Sequence, residues 1–135
     1  MTAAAALLIA ATIWHEARGE GSEAMRLVAS SIVNNATADR RATKWQTATN
    51  PKLYSCWINR RVAAPDPGKM LPADLRAWEY AVELAKLIES GVFEPAEGVR
   101  FYHDNRVNPT KFRRLFSKKL VRLSSQGKLT FYGVA

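Results

Sequence analysis

The sequence predicts an α+β domain that is mainly helical and carries a small antiparallel sheet in its last third. Apolar residues recur at helical spacing in residues 22–35 and 72–90, whereas short extended runs follow Gly98. The chain shows no internal repeat and no linker, so residues 1–135 are predicted to form a single domain. A composition with 47% hydrophobic and 24% charged residues is typical of a packed protein and excludes disordered or collagen-like chains.

The first two helices are predicted on either side of a glycine-containing junction. The apolar run from Ala3 to Trp14 is shorter than the roughly 20 residues that span a bilayer, and no Lys or Arg precedes it as in a secretory signal. We therefore expect a buried helix without a signal peptide, with a cleaved leader as the alternative. Residues 22–35 carry a second apolar stripe, with Ser22 as the expected N-cap. Gly19 and Gly21 separate the two helices.

The middle of the chain contrasts a long irregular segment with a clear helix. From Asn35 to Met70 the apolar periodicity fails, and four Pro and Gly positions interrupt a stretch that is rich in aromatic residues. Loops of this length are functional or disordered, and the aromatic content argues against disorder. We predict that this segment walls a cleft. A helix is predicted from Pro72 to Ser90, with Gly91 as its stop.

The predicted sheet occupies the end of the chain. Val99 to His103 is predicted as a short strand, followed by a turn from Asn105 to Asn108. Two further extended runs, Leu120 to Leu123 and Leu129 to Tyr132, flank Gln126 and Gly127. This arrangement predicts a β-hairpin.

The net charge of +8 at pH 7 indicates affinity for polyanions. The cations are dense in a C-terminal segment, defined here as the basic segment: Lys111, Arg113, Arg114, Lys118, Lys119 and Arg122. A nucleic-acid-binding module is one alternative, although no reader motif supports a specific nucleic-acid partner. Contact with a membrane is another, because four apolar residues oppose these cations on a helix: Phe112, Leu115, Phe116 and Leu120. The single cysteine, Cys56, allows no internal disulfide.

Residue spacing argues against a metal site, and one acidic residue is a candidate for catalysis. His15 lacks a second His four residues later, because position 19 is Gly, so no metal site is predicted. A nucleophilic pair of Cys56 and His103 remains a formal alternative. Glu16, beside Ile13 and Trp14, is expected to be poorly solvated. Poor solvation favours the neutral acid, which can donate a proton to a leaving oxygen, as glycosidic bond cleavage requires.

Four blocks of the sequence resemble a known family, the cell-wall hydrolases typified by spore cortex-lytic enzymes, which include phage endolysins. The opening motif is the most specific block: Trp14-His15-Glu16-Ala17-Arg18-Gly19-Glu20-Gly21, then Met25-Arg26, Val28-Ala29 and Asn34. The later blocks are short: Tyr54-Ser55-Cys56-Trp57, Phe101-Tyr102-His103 with Asn108-Pro109, and Gly127 to Tyr132. In this order they extend over nearly the whole chain.

The resemblance implies a lysozyme-like α+β domain that cleaves peptidoglycan and is related to lytic transglycosylases. It implies Glu16 as the general acid/base, and it makes Glu20, Ser55, Tyr102 and His103 candidate substrate-binding residues. No cofactor or metal is implied. In such an enzyme the 6-hydroxyl of N-acetylmuramic acid attacks the anomeric carbon, so one carboxylate suffices. A hydrolytic muramidase is the alternative and would ordinarily need a second carboxylate, for which Glu20 or Asp104 is the candidate.

The resemblance also suggests where the protein acts and what it meets. A phage endolysin would be made in the host cytoplasm without a signal peptide. It would reach the periplasmic peptidoglycan after a separate partner permeabilises the membrane. We expect a monomer whose basic segment is attracted to the anionic cell envelope.

Overall fold

The computed structural model describes residues 3–58 and 65–135 and has an α+β fold that is about 53% helical. The helices are α1 (Ala3–Ala17), α2 (Ser22–Ala38), α3 (Lys44–Ala48), α4 (Pro72–Ser90) and α5 (Pro109–Arg114). The strands are β1 (Phe101–Asp104), β2 (Leu120–Gln126) and β3 (Leu129–Val134), which form one small antiparallel sheet near the C-terminus. The prediction of a mainly helical α+β protein is confirmed at this level.

Helix α1 is the buried helix that the apolar N-terminal run predicts. It packs against α2, α3 and α4, and Ile9 and Ile13 have no solvent exposure. The helix extends to Ala17, three residues past the apolar run, and Glu16 lies in its last turn. None of the helices within residues 3–58 and 65–135 has the length and apolar character needed to cross a membrane.

The junction between α1 and α2 depends on glycine, as expected, but not on the predicted serine cap. Gly21 precedes α2 with a φ of 94°, a backbone conformation that glycine adopts without strain. Ser22 is the first helical residue, and no side chain caps this helix. The predicted N-cap role of Ser22 is therefore wrong. The predicted stop of α4 at Gly91 is confirmed, since Gly91 adopts a left-handed φ of 81°.

The segment between α2 and α4 contains more regular structure than the sequence analysis predicted. Thr43 and Gln46 form a capping box that starts the short helix α3. A 3₁₀ turn follows at Ser55–Trp57, and a second lies at Pro67–Lys69, just before α4. The remainder of the predicted loop includes residues 59–64, which lie outside the described residues.

The sheet has the strand order β1-β3-β2, with β2 and β3 forming the predicted hairpin. Strand β1 begins at Phe101, two residues later than predicted. Consecutive residues of a strand face opposite sides of the sheet. Tyr102 and Phe131, which are paired across β1 and β3, pack toward the helical core. The opposite face carries His103 and is covered by α5, because the ring of Phe112 lies 4.7 Å from the His103 ring.

Of the four apolar residues that were predicted to oppose the basic segment, only some are exposed and able to contact a membrane. Phe116 packs on Phe101 with 4.6 Å between ring centroids, and Leu120 is buried at the start of β2. Leu115 is 79% exposed. The stripe thus serves mainly to hold α5 on the sheet.

Candidate active site

Glu16 is a half-buried carboxyl group in the last turn of α1, enclosed by residues that are distant in sequence. The hydroxyl of Tyr102 donates a hydrogen bond to its Oε1 at 2.6 Å. The backbone N–H of Ser55 donates to the same oxygen at 3.1 Å. The structure therefore brings three of the predicted site residues, Glu16, Ser55 and Tyr102, into direct contact.

The two carboxyl oxygens of Glu16 have different surroundings. Oε1 accepts both of these hydrogen bonds. Oε2 has a long contact, 3.5 Å from the hydroxyl of Ser55, which is at the limit of a hydrogen bond. Oε2 is thus the oxygen with room for a proton. Ser55 is exposed and Glu16 is partly exposed, so the site is accessible from solvent.

Burial raises the pKa of Glu16 above its ordinary value, because removal of water disfavours the charged form. The hydrogen bonds from Tyr102, Ser55 and the backbone of Cys56 oppose this effect, since they stabilise the carboxylate, but burial is the larger influence. Burial, and next to it the charge of Glu16, raises the pKa of Tyr102 well above its ordinary value. Tyr102 consequently remains a protonated donor toward Glu16 across the neutral pH range.

The sequence analysis placed Glu16 beside Ile13 and Trp14. Both are buried in the core, and the Trp14 ring contacts His15, Trp78 and Arg18. The groups that donate hydrogen bonds to the carboxyl group come from other segments, the 3₁₀ turn at Ser55–Trp57 and β1. Only tertiary packing places them there.

Hydrogen bonds from Trp57 and Tyr54 attach the 3₁₀ turn that contains Ser55 to helices α1 and α2. The indole N–H of Trp57 donates to the hydroxyl of Thr12 in α1 at 2.8 Å. Thr12 has no solvent exposure and in turn donates to the carbonyl of Ala48 at 2.9 Å. The Tyr54 hydroxyl is 2.9 Å from that of Ser31 in α2. The sequence analysis did not single out Thr12, although a polar residue inside an apolar run is a signal for such a role.

Cys56 and His103 do not form a nucleophilic pair. Burial, together with the charge of Glu16, raises the pKa of Cys56 to about 12, so the thiol stays protonated. The His103 ring is bonded elsewhere, through Nε2 to the Tyr132 hydroxyl at 2.8 Å and through Nδ1 to the carbonyl of Asp104 at 2.9 Å. Because His103 follows Tyr102 in β1, it lies on the sheet face turned away from Glu16.

Glu20 is engaged with the β2–β3 hairpin. Its Oε2 accepts a hydrogen bond from the backbone N–H of Lys128 at 2.5 Å. Gly127 has a φ of 57°, and a Cβ atom at that position would collide with the Glu20 carboxylate. Glu20 therefore ties the α1–α2 junction to the hairpin, while Arg18 stacks on Trp14 instead of pairing with Glu20. A contact of Glu20 with substrate stays a prediction.

Asp104, the other candidate for a second carboxylate, is paired with Arg106. Hydrogen bonds from the backbone and side chain of Arg106 lower the pKa of Asp104 below its ordinary value. The two side chains form an ion pair of 3.0 Å. Within residues 3–58 and 65–135, no group of three or more His, Cys, Asp or Glu side chains is arranged to hold a metal ion.

Comparison of the chain with protein-family models, curated proteins and solved structures gives no match. Any proposal of function therefore rests on the chemistry of Glu16 and its neighbours.

Proposed function

We propose that the protein is a lytic transglycosylase with a lysozyme-like fold that cleaves the bond between N-acetylmuramic acid and N-acetylglucosamine in peptidoglycan. The observation that carries the proposal is the state of Glu16. It is a half-buried carboxyl group of raised pKa, with Oε1 fixed by two donors and Oε2 at 3.5 Å from the Ser55 hydroxyl. A general acid in glycoside cleavage needs a pKa above that of a free carboxyl group and a fixed orientation.

In the first step of the proposed reaction, Oε2 of Glu16 donates its proton to the glycosidic oxygen. The bond from that oxygen to the anomeric carbon of N-acetylmuramic acid breaks, and positive charge develops on the anomeric carbon. Glu16 is now a carboxylate. The O–H group of Tyr102 and the N–H group of Ser55 stabilise its negative charge through Oε1.

In the second step the Glu16 carboxylate acts as the base. It removes the proton from the 6-hydroxyl of the same muramic acid residue, and the 6-oxygen forms a bond to the anomeric carbon. The product carries a 1,6-anhydro ring, and Glu16 regains its proton. No water enters the reaction, so a second carboxylate is not needed. This agrees with the engagement of Glu20 by Lys128 and of Asp104 by Arg106.

The proposed biological setting is that of a phage endolysin. The protein would be made in the host cytoplasm and reach the wall once the membrane is permeabilised. Its net charge of +8 favours accumulation at an anionic envelope. We propose that it acts there as a monomer.

Mass spectrometry of the muropeptides released from purified peptidoglycan tests this function. The proposal predicts 1,6-anhydro ends. A hydrolytic muramidase would leave reducing ends, which are heavier by one water molecule. A uniform set of reducing ends would contradict the transglycosylase mechanism while leaving glycan cleavage in place. Absence of any released muropeptide would contradict the function altogether.

A further inference from the structure

A cavity lies on the sheet face turned away from Glu16, between the strands and α5. Its volume is about 330 Å³, and its lining includes the buried residues His103, Thr130 and Tyr132 together with Arg113 of α5 and Arg122 of β2. This volume lies at the lower end of the range for small-molecule sites. The reaction proposed above makes no use of this cavity.

The floor of the cavity is held rigid by its own hydrogen bonds. The His103 ring is 2.8 Å from the Tyr132 hydroxyl. The Thr130 hydroxyl donates to Oδ1 of Asn105 at 2.6 Å and is 3.1 Å from the hydroxyl of Ser125. These contacts fix Asn105 so that its amide N–H groups remain without a protein partner in the described part of the chain. Such a floor would require little reorganisation when a ligand binds.

The wall of the cavity contains two positive charges that no acidic group neutralises. The Arg113 guanidinium lies over the Tyr132 ring at 5.2 Å, and an N–H group of Arg122 donates to Ser125 at 2.9 Å. Among the described residues, neither guanidinium has a carboxylate within 4.0 Å. Two arginines without acidic partners, beside a free amide donor, form a site suited to an oxyanion.

We propose that this cavity binds a carboxylate group from the short peptides of peptidoglycan. This inference rests on the proposed function. The cavity is larger than a bare anion needs, so it can take a carboxylate together with adjoining peptide atoms. The planar guanidinium groups of Arg113 and Arg122 match a carboxylate, and the Asn105 amide offers further donors to it.

The relation between the cavity and Glu16 supports a peptide as the source of the carboxylate. Tyr102, which contacts Glu16, and His103, which lines the cavity, are consecutive in β1, and β1 is an edge strand of the sheet. An extended peptide of four residues spans up to about 14 Å. Because β1 is an edge strand, a peptide on a glycan at Glu16 would have to pass only this strand to reach the sheet face that carries His103.

The test is calorimetric titration of the full chain with the free tetrapeptide that an amidase releases from peptidoglycan. Arg113→Gln and Arg122→Gln are each expected to weaken binding at least about tenfold, because each removes a charged donor. Arg114→Gln is the matched control. It removes the same charge from the neighbouring position of α5, does not line the cavity, and is expected to change the affinity less than twofold.

Three results would overturn the inference: no binding of the tetrapeptide by the unaltered protein, an equal loss in Arg114→Gln, or tighter binding of inorganic phosphate than of the peptide. The last result would assign the cavity to phosphate-bearing polymers of the envelope. The titration involves no bond cleavage. Failure to cleave glycans would thus refute the proposed function while leaving peptide binding measurable, and cleavage without peptide binding would refute this inference alone.

Discussion

The Tyr102 hydroxyl donates a 2.6 Å hydrogen bond to Oε1 of Glu16, although the two residues are 86 positions apart in sequence. This bond joins the end of α1 to the edge strand of the sheet. It also fixes which oxygen of Glu16 is left to carry the proton. The pKa of the proposed acid therefore depends on correct docking of the sheet on the helices.

Replacement of Tyr102 by Phe tests the role of this bond. The bond lowers the pKa of Glu16, so its loss should raise that pKa further. Because the proposed reaction needs protonated Glu16, activity falls as pH rises through this pKa. The basic limb of the pH profile should therefore move to higher pH in Tyr102→Phe. The rate at the optimum should fall at least about tenfold, since a charged hydrogen bond is lost.

Tyr54→Phe is the matched control for this variant. The Tyr54 ring lies 6.2 Å from that of Tyr102, but its hydroxyl is bonded to Ser31. We expect a loss of about 1 kcal/mol in the free energy of unfolding and no movement of the pH profile. Equal shifts of the basic limb in both variants would contradict a specific effect of Tyr102 on Glu16.

Glu16→Gln should raise thermal stability at neutral pH. The folded-state pKa of Glu16 is raised by burial, so the neutral acid stabilises the fold below the ordinary pKa of 4.5, and this stabilisation is lost as pH rises through the folded-state value. The amide of Gln does not ionise. The melting temperature of Glu16→Gln should therefore exceed that of the unaltered protein at pH 7, and the difference should shrink toward pH 4.

Glu23→Gln is the control for this measurement, because the pKa of Glu23 is shifted in the opposite direction from that of Glu16. Arg26 bonds to Glu23 and lowers its pKa, so the charged form stabilises the fold and its replacement should not raise stability at pH 7. A Glu16→Gln protein that melts below the unaltered protein at pH 7 would show that the Glu16 carboxylate is not destabilised by burial.

Gly127→Ala should destabilise the protein by at least about 1–2 kcal/mol, because alanine is strained at a left-handed φ. The added Cβ would also contact the backbone of Glu20, whose Cα is 3.1 Å away. Urea denaturation measures the loss. Gly19→Ala, where a Cβ would meet nothing within 4 Å, should change stability by less than about 0.5 kcal/mol. Equal losses would argue against close packing of the hairpin on Glu20.

Three exposed cations outside the cavity lined by Arg113 and Arg122 should assist attraction to the cell envelope. Replacement of Arg114, Lys118 and Lys119 by Gln should slow lysis of permeabilised whole cells and flatten its dependence on salt, because screened long-range attraction is lost. Turnover of short soluble glycans should change much less. Equal reductions of both activities in a folded variant would place these charges in the active site.

The long elements of the fold could be predicted because each carries its own pattern. Helix α1 is a continuous apolar run, whereas α4 has apolar residues at helical spacing and ends at Gly91, whose left-handed φ glycine adopts without strain. Helix α3 has five residues, too few for a periodic signal, and only the Thr43 and Gln46 pair marks its start. The sequence analysis did not use that pair.

The site could be predicted only in part, because its contacts are long-range. The opening motif singled out Glu16, but the approach of Ser55 and Tyr102 to its carboxyl group depends on packing between three segments. The sequence alone was sufficient to predict that Tyr102 and His103 lie on opposite faces of the sheet. Consecutive residues of a strand face opposite sides, so Tyr102 and His103 could not both face Glu16.

The rate at which Glu16→Gln cleaves purified peptidoglycan tests the central claim most directly. Gln keeps the shape of Glu and can accept the bonds from Tyr102 and Ser55, but it has no proton to transfer. We predict a fall in turnover of at least about 10² to 10⁴ with binding retained, which is the usual contribution of acid/base catalysis. Glu20→Gln, which can still accept from Lys128, should lose less. A folded Glu16→Gln protein that cleaves at nearly the unaltered rate would contradict the account.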